Sequence, residues 1–503
     1  MEAFHKVYRS SSPGDCSAQV RFRIFLIFAI GGITRHRAGL TQEHPFGYYL
    51  AAMASLDSVP LIGSPDAIQN SLLIARFGMY HHIGTSLWDI SHFCMRQCIE
   101  LGYHAPPRSP ISLIEEQKRR RIFWECYILD RYSSGMLGRP FALSDDSISV
   151  ELPVLADDET VRAAAEETTL SDLSALSMGK TTEVSVFVMC IQLRRVSSSV
   201  HTELSKFRMQ QSCSAQSNAA SFTSAGHVQT LVHHYLAELD LWRQNAPVFN
   251  PPGSLYERPE YHDFLLEKDK LNLIRGAMHI APKHSNGSPP PDLLALCLPS
   301  AVRVIALYHG MLVKRQITWT RSYFQGIFTA GLSVLFCLSL NPATTSPGDI
   351  GPTHALVLCS QILHMFQKEM PDVQSFGKVF DELMDLLNRK LQAPVDRGLQ
   401  PPPTVPGGCR NIVQPDIENG PQWMGYSAER PMFYDAVRDS GTQAAPGLEF
   451  SDLEFTLESL GEDGIEWPLH NEEFMESLTA GLGEYAWGFG GDDTHLWDQF
   501  DFA

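Results

Sequence analysis

The residues best equipped for chemistry lie between positions 119 and 140, which read RRRIFWECYILDRYSSGMLGRP. Arginines followed by aromatic side chains could contact nucleic-acid phosphates, serve as a nuclear import signal, or belong to a packed helix. From Ile122 to Leu129 the only charged residue is Glu125. A helix that is apolar on almost every side is buried, whereas a groove-reading helix keeps polar side chains that reach base edges. We therefore predict a structural role for this tract, with import and phosphate contact as the alternatives.

The arginines of this tract need specific partners. Ser112 and Glu115 have the spacing of a capping box, which predicts that a helix begins there. Arg119, Arg120 and Arg121 then fall towards the N-terminal end of that helix, where its dipole disfavours cations. We expect them to pair with acids of the same stretch. The candidates are Asp130, Asp145 and Asp146, with Arg139 as a further basic member.

Catalytic and metal-binding motifs are not found in the sequence. The patterns H-E-x-x-H and G-x-S-x-G, a Walker loop and G-x-G-x-x-G do not occur. Cys94 and Cys98 are one helical turn apart in an apolar stretch, where buried thiols are commoner than ligands. We predict that the chain is not an enzyme and that it holds no metal or other cofactor.

Helical periodicity dominates the chain up to about residue 393. Apolar residues recur at intervals of three and four, and prolines and glycines separate the segments. The stretch Ile24 to Ile33 is too short to cross a bilayer and predicts a buried helix. The predicted fold class is all-α, a large multi-helical domain followed by a mostly disordered acidic tail. The other predicted helices are Ile68–Leu101, Ser112–Arg131, Thr182–Phe207, Val228–Asn245, Asp292–Ile317, Tyr323–Leu340, His354–Glu369 and Phe376–Leu391.

Negative charge is concentrated at the C-terminal end. Sixteen of the 57 acidic residues, and none of the 39 basic residues, lie between Asp439 and the C-terminus, so the rest of the chain is nearly neutral. The segment LQPPPTVPGG has the composition of a linker. The predicted organisation is a disordered N-terminus (1–19), a helical domain (20–393), a linker (394–439) and an acidic, aromatic segment (440–503).

The central tract carries a set of motifs with a known counterpart. It resembles the signature of the fungal-specific transcription factor domain, the middle homology region of fungal zinc-cluster regulators. Weaker similarity extends the resemblance over roughly residues 20 to 390. It implies an all-helical regulatory domain in a nuclear regulator that acts on promoter DNA, often as a homo- or heterodimer. The matching residues are Arg119–Arg121, Phe123-Trp124, Asp130-Arg131, Gly138-Arg139-Pro140, Asp145-Asp146 and Leu152-Pro153.

The sequence departs from that family at Tyr103, where a leucine is usual, and in its cysteines. Family members usually begin with six cysteines that bind two zinc ions and dock a helix on DNA. The repeated spacing Cys-x2-Cys-x6-Cys does not occur here, and Cys16 is the only cysteine in the first ninety residues. Two hypotheses stay open: the chain reaches promoter DNA through a partner, or the sequence lacks an N-terminal zinc-cluster segment.

The acidic segment alternates carboxylates with bulky apolar residues. Mutual repulsion keeps such a segment extended and its apolar side chains accessible, which is typical of an activation segment that folds onto a coactivator groove. The alternative is a tail that only improves solubility. The predicted coactivator contacts are Phe450, Leu453, Phe455, Leu457, Leu460, Trp497 and Phe500.

Small residues beside aromatic ones could also line an effector pocket in the helical domain. Gly310, Gly326 and Gly331 lie in the same part of the sequence as Trp319, Tyr323 and Phe328. Glycines in helices equally allow close helix crossings, and we expect the crossings. The target genes are not encoded in the chain. Regulators that it resembles often control carbon use, drug response or biosynthetic gene clusters, and the sequence does not select among these, although a metabolic or biosynthetic gene cluster is our expectation.

Overall fold

The residues that can be described fold into α-helices and connecting segments. The computed structural model describes residues 16–165, 181–216, 225–284, 287–317, 319–341, 351–370 and 373–392, and these contain no β-strand. The all-α prediction is confirmed. The helices are α1 Ala18–Arg37, α2 Pro45–Met53, α3 Pro65–Gly78, α4 Leu87–Glu100, α5 Leu113–Leu137, α6 Asp158–Ala164, α7 Ser185–Gln216, α8 Ala225–Gln244, α9 Pro259–Ile280, α10 Pro291–Val313, α11 Arg321–Leu340, α12 Pro352–Glu369 and α13 Gln374–Gln392.

One predicted helix is two helices in the structure. The expected continuous helix Ile68–Leu101 is interrupted between α3 and α4. Gly84 lies in this interruption at φ 71°, a left-handed conformation that glycine adopts without steric cost. Ser86 then starts α4, because its hydroxyl accepts a hydrogen bond from the Asp89 backbone at 3.2 Å. The sequence predicted one continuous helix because the residues on both sides of the interruption face the core, so that the apolar spacing continues across it.

Helix α9 was missed by the periodicity argument, as were α2 and α6. Its buried face is not uniformly apolar, since Lys268 and Asp269 are 2% and 6% exposed. Asp269 forms an ion pair with Arg194 of α7 at 2.6 Å. Because such buried charged residues interrupt the apolar spacing of α9, the sequence pattern does not indicate this helix.

The described helices enclose two hydrophobic cores, both formed by residues up to Leu387. Helices α1–α5 bury Phe22, Phe77 and Phe123 in the first core, and α7–α13 form the second. Helices α10 and α11 are long and apolar enough to cross a membrane, but 94% of the α11 window is buried inside the protein. Helix α11 is therefore the central helix of the second core.

Polar contacts join the two cores. Arg37 of α1 donates to the Trp319 carbonyl at 2.6 Å, and the Arg321 backbone donates to the Met79 carbonyl at 3.3 Å. The hydroxyl of Tyr132 on α5 donates to Ser322 of α11 at 3.3 Å. Helix α5, which carries most of the motif, therefore packs in the first core and contacts the second. The predicted domain boundaries stay predictions, and the linker (394–439) and acidic segment (440–503) lie outside the described residues.

Candidate functional site

Helix α5 positions most of the motif, and local sequence sets its two ends. The Ser112 hydroxyl accepts a hydrogen bond from the Glu115 backbone at 3.3 Å, as the capping pattern predicted. The helix runs past its predicted end at Arg131 to Leu137. It stops at Gly138, whose φ of 64° is left-handed and favours glycine at a helix end. The chain then turns back along α5.

The aromatic residues of the motif are interior. Phe123 is fully buried and Trp124 is 2% exposed. The Trp124 indole N–H donates to the Glu151 carbonyl at 2.9 Å, and Arg120 donates to the Leu152 carbonyl at 3.0 Å. These bonds hold the segment that contains Leu152-Pro153 against α5. The predicted burial of this tract is confirmed, and a helix packed in this way has no face for reading a DNA groove.

The partners predicted for the three consecutive arginines were wrong. Asp130 and Asp145 pair with Arg131 instead. In a helix, acids four residues earlier lie beside the arginines, whereas Asp130 lies about three turns away from Arg120. The observed ion pairs are Arg119–Glu115 at 3.0 Å, Arg120–Glu116 at 2.5 Å, Arg120–Glu151 at 2.8 Å and Arg121–Asp158 at 2.6 Å.

Arg139 and its neighbours form the turn after α5. The Arg139 guanidinium carbon lies 4.7 Å from the centre of the Trp88 ring, a cation–π contact. Its backbone N–H donates to the Ser134 carbonyl at 3.0 Å, which closes the end of the helix. Pro140 follows in the non-helical turn and is exposed. Arg139 thus fastens the turn to α4, where Trp88 lies.

Arg131 is the centre of a buried polar network. Its side chain and that of Asp130 are completely buried and form an ion pair. The Arg131 Nε donates to Ser198 of α7 at 3.0 Å, and Nη2 donates to the Leu143 carbonyl at 2.6 Å and to Asp145 at 3.2 Å. Each nitrogen of this guanidinium therefore has a partner, so the charge is compensated without water.

Aromatic rings and backbone groups complete this network. The Arg131 guanidinium carbon lies 4.2 Å from the centre of the Tyr127 ring and 4.3 Å from that of Phe141. Asp130 also accepts a hydrogen bond from the Ala142 backbone at 3.2 Å. Burial raises the pKa of the Asp130 carboxyl, and the Arg131 charge opposes that rise. The Asp-Arg pair of the motif therefore joins α5, the following turn and α7.

A cavity of about 460 Å³ adjoins this network. Helices α5, α7, α8, α9 and α11 and the turn at Gly138 contribute to its walls. Its volume lies within the range of small-molecule sites in proteins. Four arginines and one carboxylate, that of Asp269, line it. The arginines are Arg131, Arg194, Arg208 and Arg275.

The polar atoms of the cavity wall without a hydrogen-bond partner include Nε2 of His201 on α7 and Oγ1 of Thr329 on α11. Thr329 is only 6% exposed. Burial, together with the smaller effects of the Arg208 and Arg131 charges, lowers the pKa of His201 to about 4. His201 is therefore a neutral imidazole at physiological pH, beside positively charged neighbours.

The glycines proposed as pocket or crossing residues lie elsewhere. A Cβ at Gly331 would come within 2.5 Å of the Phe380 ring and 2.6 Å of the Cys359 sulfur, so this glycine allows a close crossing of α11 with α12 and α13. A Cβ at Gly326 would lie 3.4 Å from Lys268, whereas Gly310 has nothing within 4 Å. Trp319, Tyr323 and Phe328 pack in the second core. The expected close crossing is confirmed at Gly331.

The cysteine pair singled out from the sequence is buried. Cys94 and Cys98 are fully buried and lie beside Cys126, whose thiol pKa is raised by burial and by hydrogen bonds with the other two. Within the described ranges, no group of three histidine, cysteine or acidic side chains is arranged to hold a metal ion. These thiols therefore serve as small apolar residues of the first core.

Sequence reasoning did not find the cavity residues, although one signal was present. Gln325, Thr329 and Ser333 are spaced four residues apart in helix α11, most of whose residues are apolar. They share one face, which lies towards α9, because Ser333 accepts a hydrogen bond from Arg275 at 2.9 Å. The predicted coactivator residues, Phe450 to Phe500, lie outside the described residues.

Comparisons with known proteins agree with the motif. The family model described as the fungal specific transcription factor domain matches residues 3–244. The negative regulator of pleiotropic drug resistance STB5 of Candida glabrata is 33% identical over 147 residues, which cover 27% of this chain and 15% of that protein. Protein STB5 of Saccharomyces cerevisiae is 32% identical over 158 residues, 30% of this chain and 21% of that protein.

A third relative has a different printed role. The positive regulator of purine utilization of Emericella nidulans is 27% identical over 164 residues, 25% of this chain and 16% of that protein. The matched segments thus span only 15% to 21% of the lengths of these three relatives. No solved structure matches the chain. From the packed motif and the family match together, we conclude that this chain carries the fungal specific transcription factor domain, in residues 3–244.

Proposed function

We propose that this chain is a nuclear regulator of transcription that activates its target genes. The helical domain acts as its regulatory and dimerising body, and residues 440–503 recruit a coactivator or the transcription machinery. The match of residues 3–244 to the family carries this proposal. The burial of the signature tract supports it, because a tract used for packing leaves recruitment to another part of the chain.

The composition of the C-terminal segment supports activation rather than repression. The relatives' names include both a negative and a positive regulator, so relationship alone does not select a direction. The acidic residues after Asp439 alternate with aromatic and aliphatic ones, which favours recruitment by a basic-rimmed, apolar groove. We therefore assign activation to this segment.

A reporter assay tests activation. Residues 440–503 are fused to a heterologous DNA-binding module, and expression of the reporter gene is measured. We expect strong reporter expression, which falls when Phe450, Leu453 and Leu457 are all replaced by alanine. The matched control replaces Ser451, Thr456 and Ser459 by alanine and leaves expression unchanged. A silent but normally expressed fusion would contradict the activation role.

A co-regulator that reaches DNA through a partner is the second candidate. It is favoured by the ion pairs of Arg119, Arg120 and Arg121, which engage these guanidinium groups with acids of the helical domain. Footprinting with the purified full chain separates the two functions. Protection of a discrete promoter segment by the chain alone would support direct binding. Protection that needs a second protein would support the co-regulator.

The target genes are proposed to form a metabolic or biosynthetic group. Support comes from the relative that is named for purine utilization. Messenger RNA is compared between the wild-type strain and a strain lacking the gene. We expect reduced transcripts from genes of one pathway or one chromosomal cluster. Changes scattered over unrelated genes would contradict this assignment.

A further inference from the structure

We propose that Cys297 of α10 and Cys337 of α11 are a redox-sensitive thiol pair, which a hydroperoxide converts to a disulfide. The inference goes beyond the proposed function, because it assigns a reversible chemical modification to the helical domain. Three observations support it: the contact between the two thiols, the cation beside one of them, and a missing backbone hydrogen bond in α10.

The two cysteines lie on neighbouring helices, and their side chains are in contact. Cys297 is fully buried and Cys337 is 4% exposed, and both are free thiols. A hydrogen bond joins the two sulfur atoms. A disulfide places its sulfur atoms about 2.05 Å apart, so two thiols that already bond each other need only a modest approach. The fold therefore brings together two cysteines that are distant in sequence.

Arg275 of α9 makes Cys297 the more reactive sulfur. The Arg275 Nη1 donates to Ser333 of α11 at 2.9 Å, which holds the guanidinium on this side of the second core. The pKa of Cys297 is lowered by its hydrogen bond with Cys337 and, against the effect of burial, by the Arg275 charge and a Ser333 hydrogen bond. The same thiol–thiol bond and burial raise the pKa of Cys337. Because the thiolate is the nucleophile, Cys297 reacts first and Cys337 second.

A thiol cluster in the first core provides an internal comparison. Cys126 of α5 is fully buried, and its pKa is raised by burial and then by hydrogen bonds with Cys94 and Cys98 of α4. Cys359 of α12 is also fully buried, and burial raises the pKa of its thiol as well. Contact between thiols, or burial alone, therefore does not produce the environment of Cys297.

The part of α10 that carries Cys297 lacks a backbone hydrogen bond. Pro299 lies inside this helix and has no N–H to donate to the Ala295 carbonyl. Pro290 is the N-cap residue, and its side chain cannot accept a hydrogen bond from the first turn. Local opening occurs most easily where backbone hydrogen bonds are few, and hydrogen peroxide is little larger than water. Opening of this turn therefore gives a small oxidant access to the buried sulfur.

The reaction balances with a hydroperoxide as the oxidant. The Cys297 sulfur attacks one peroxide oxygen, the O–O bond breaks, and the other oxygen leaves with the thiol proton as water or an alcohol. The Cys337 sulfur then attacks the resulting sulfenic acid, and the S–O bond breaks. The hydroxyl group leaves with the Cys337 proton as water. The two sulfurs lose two electrons in total, and the peroxide accepts them.

The disulfide would join α10 to the central helix of the second core. Helix α11 also contacts the first core, because Ser322 accepts a hydrogen bond from Tyr132 at 3.3 Å and the Arg321 backbone donates to the Met79 carbonyl. Oxidation therefore fixes α10 on the helix that connects the two cores. A dithiol reductant reverses the change, because thiolate attack on the disulfide restores both thiols.

Peptide mapping by mass spectrometry tests the pair in the full chain. The reduced protein is treated with hydrogen peroxide at neutral pH, its remaining thiols are alkylated, and it is digested without reductant. We expect a linked peptide that contains Cys297 and Cys337 and that dithiothreitol removes. The alkylation of Cys126 should decline at least about tenfold more slowly than that of Cys297, since Cys126 stays protonated. This comparison needs no variant.

Variants assign the two steps. Cys297→Ser should abolish the linked peptide, whereas Cys337→Ser should leave a sulfenic acid at Cys297 that dimedone traps. Arg275→Gln should slow the oxidation of Cys297 by about threefold or more, because less thiolate is present. Cys359→Ser is the matched control, since it removes a buried thiol that also packs against α11, and it should leave the linked peptide unchanged.

Two results would overturn the proposal. One is the absence of the Cys297–Cys337 peptide after peroxide treatment of a chain that stays folded by circular dichroism. The other is oxidation of Cys297 and Cys126 at equal rates, which would show that the Arg275 side of the second core confers no reactivity.

Discussion

Two buried polar clusters lie next to each other on α7, and they differ in how their hydrogen bonds are met. Ser198 belongs to the Arg131 network, where it bonds both Arg131 and Asp145. His201 lies one turn further along and keeps an unpartnered Nε2 in the cavity wall. A saturated network joins helices, whereas unsatisfied groups around a cavity leave bonding capacity for a ligand. Within one turn of α7, Ser198 therefore has a structural role, whereas His201 has an unused hydrogen-bonding atom in the cavity wall.

The largest expected effect comes from breaking the saturated network. Asp130→Ala leaves the Arg131 charge buried beside Asp145 alone and should lower the free energy of unfolding by about 3 to 5 kcal/mol. Urea denaturation of the full chain measures it. The control is Asp158→Ala, which removes the half-exposed ion pair with Arg121 and should cost less than about 1 kcal/mol. Equal losses in both variants would contradict the assigned role of Asp130.

The pH dependence of His201 tests the unsaturated cluster. Its pKa is about 4 in the folded protein, against an ordinary 6.5. The unfolded chain therefore takes up the proton first as the pH falls, so the stability that His201 contributes is present above pH 6.5 and is lost towards pH 4. We expect a loss of roughly 3 kcal/mol at most across that window. His201→Gln should flatten this part of the stability profile, and parallel profiles would contradict the prediction.

Helix crossings provide a comparison within the second core. Gly331→Ala would press a methyl group against Phe380 and Cys359 and should destabilise the protein by about 1 to 3 kcal/mol. Gly310→Ala meets no atom within 4 Å and should stabilise α10 by about 0.5 to 1 kcal/mol. Thermal unfolding should show a lower Tm for Gly331→Ala and a higher Tm for Gly310→Ala than for the unmodified protein. A tolerated alanine at position 331 would show that this crossing is not close.

The sequence predicted the fold class, the burial of the central tract and most of the helices, because these follow from local periodicity. It did not predict the partners of Arg119–Arg121, since pairing depends on which acids the helix geometry brings near. Helix α9 was missed because Lys268 and Asp269 interrupt its apolar pattern. The cavity was missed because His201, Arg275 and Thr329 are distant in sequence and come together only through tertiary packing.

The most direct test compares two buried hydroxyl groups, one from each cluster. Ser198→Ala removes a hydroxyl that bonds Arg131 at 3.0 Å, and Thr329→Val removes one that has no partner. In the ligand-free full chain, urea denaturation should show Ser198→Ala losing about 1 to 3 kcal/mol and Thr329→Val gaining about 1 kcal/mol. Changes of opposite sign in the free energy of unfolding would support a structural role for Ser198 and an unused hydrogen-bonding group at Thr329. A similar loss in both variants would contradict it.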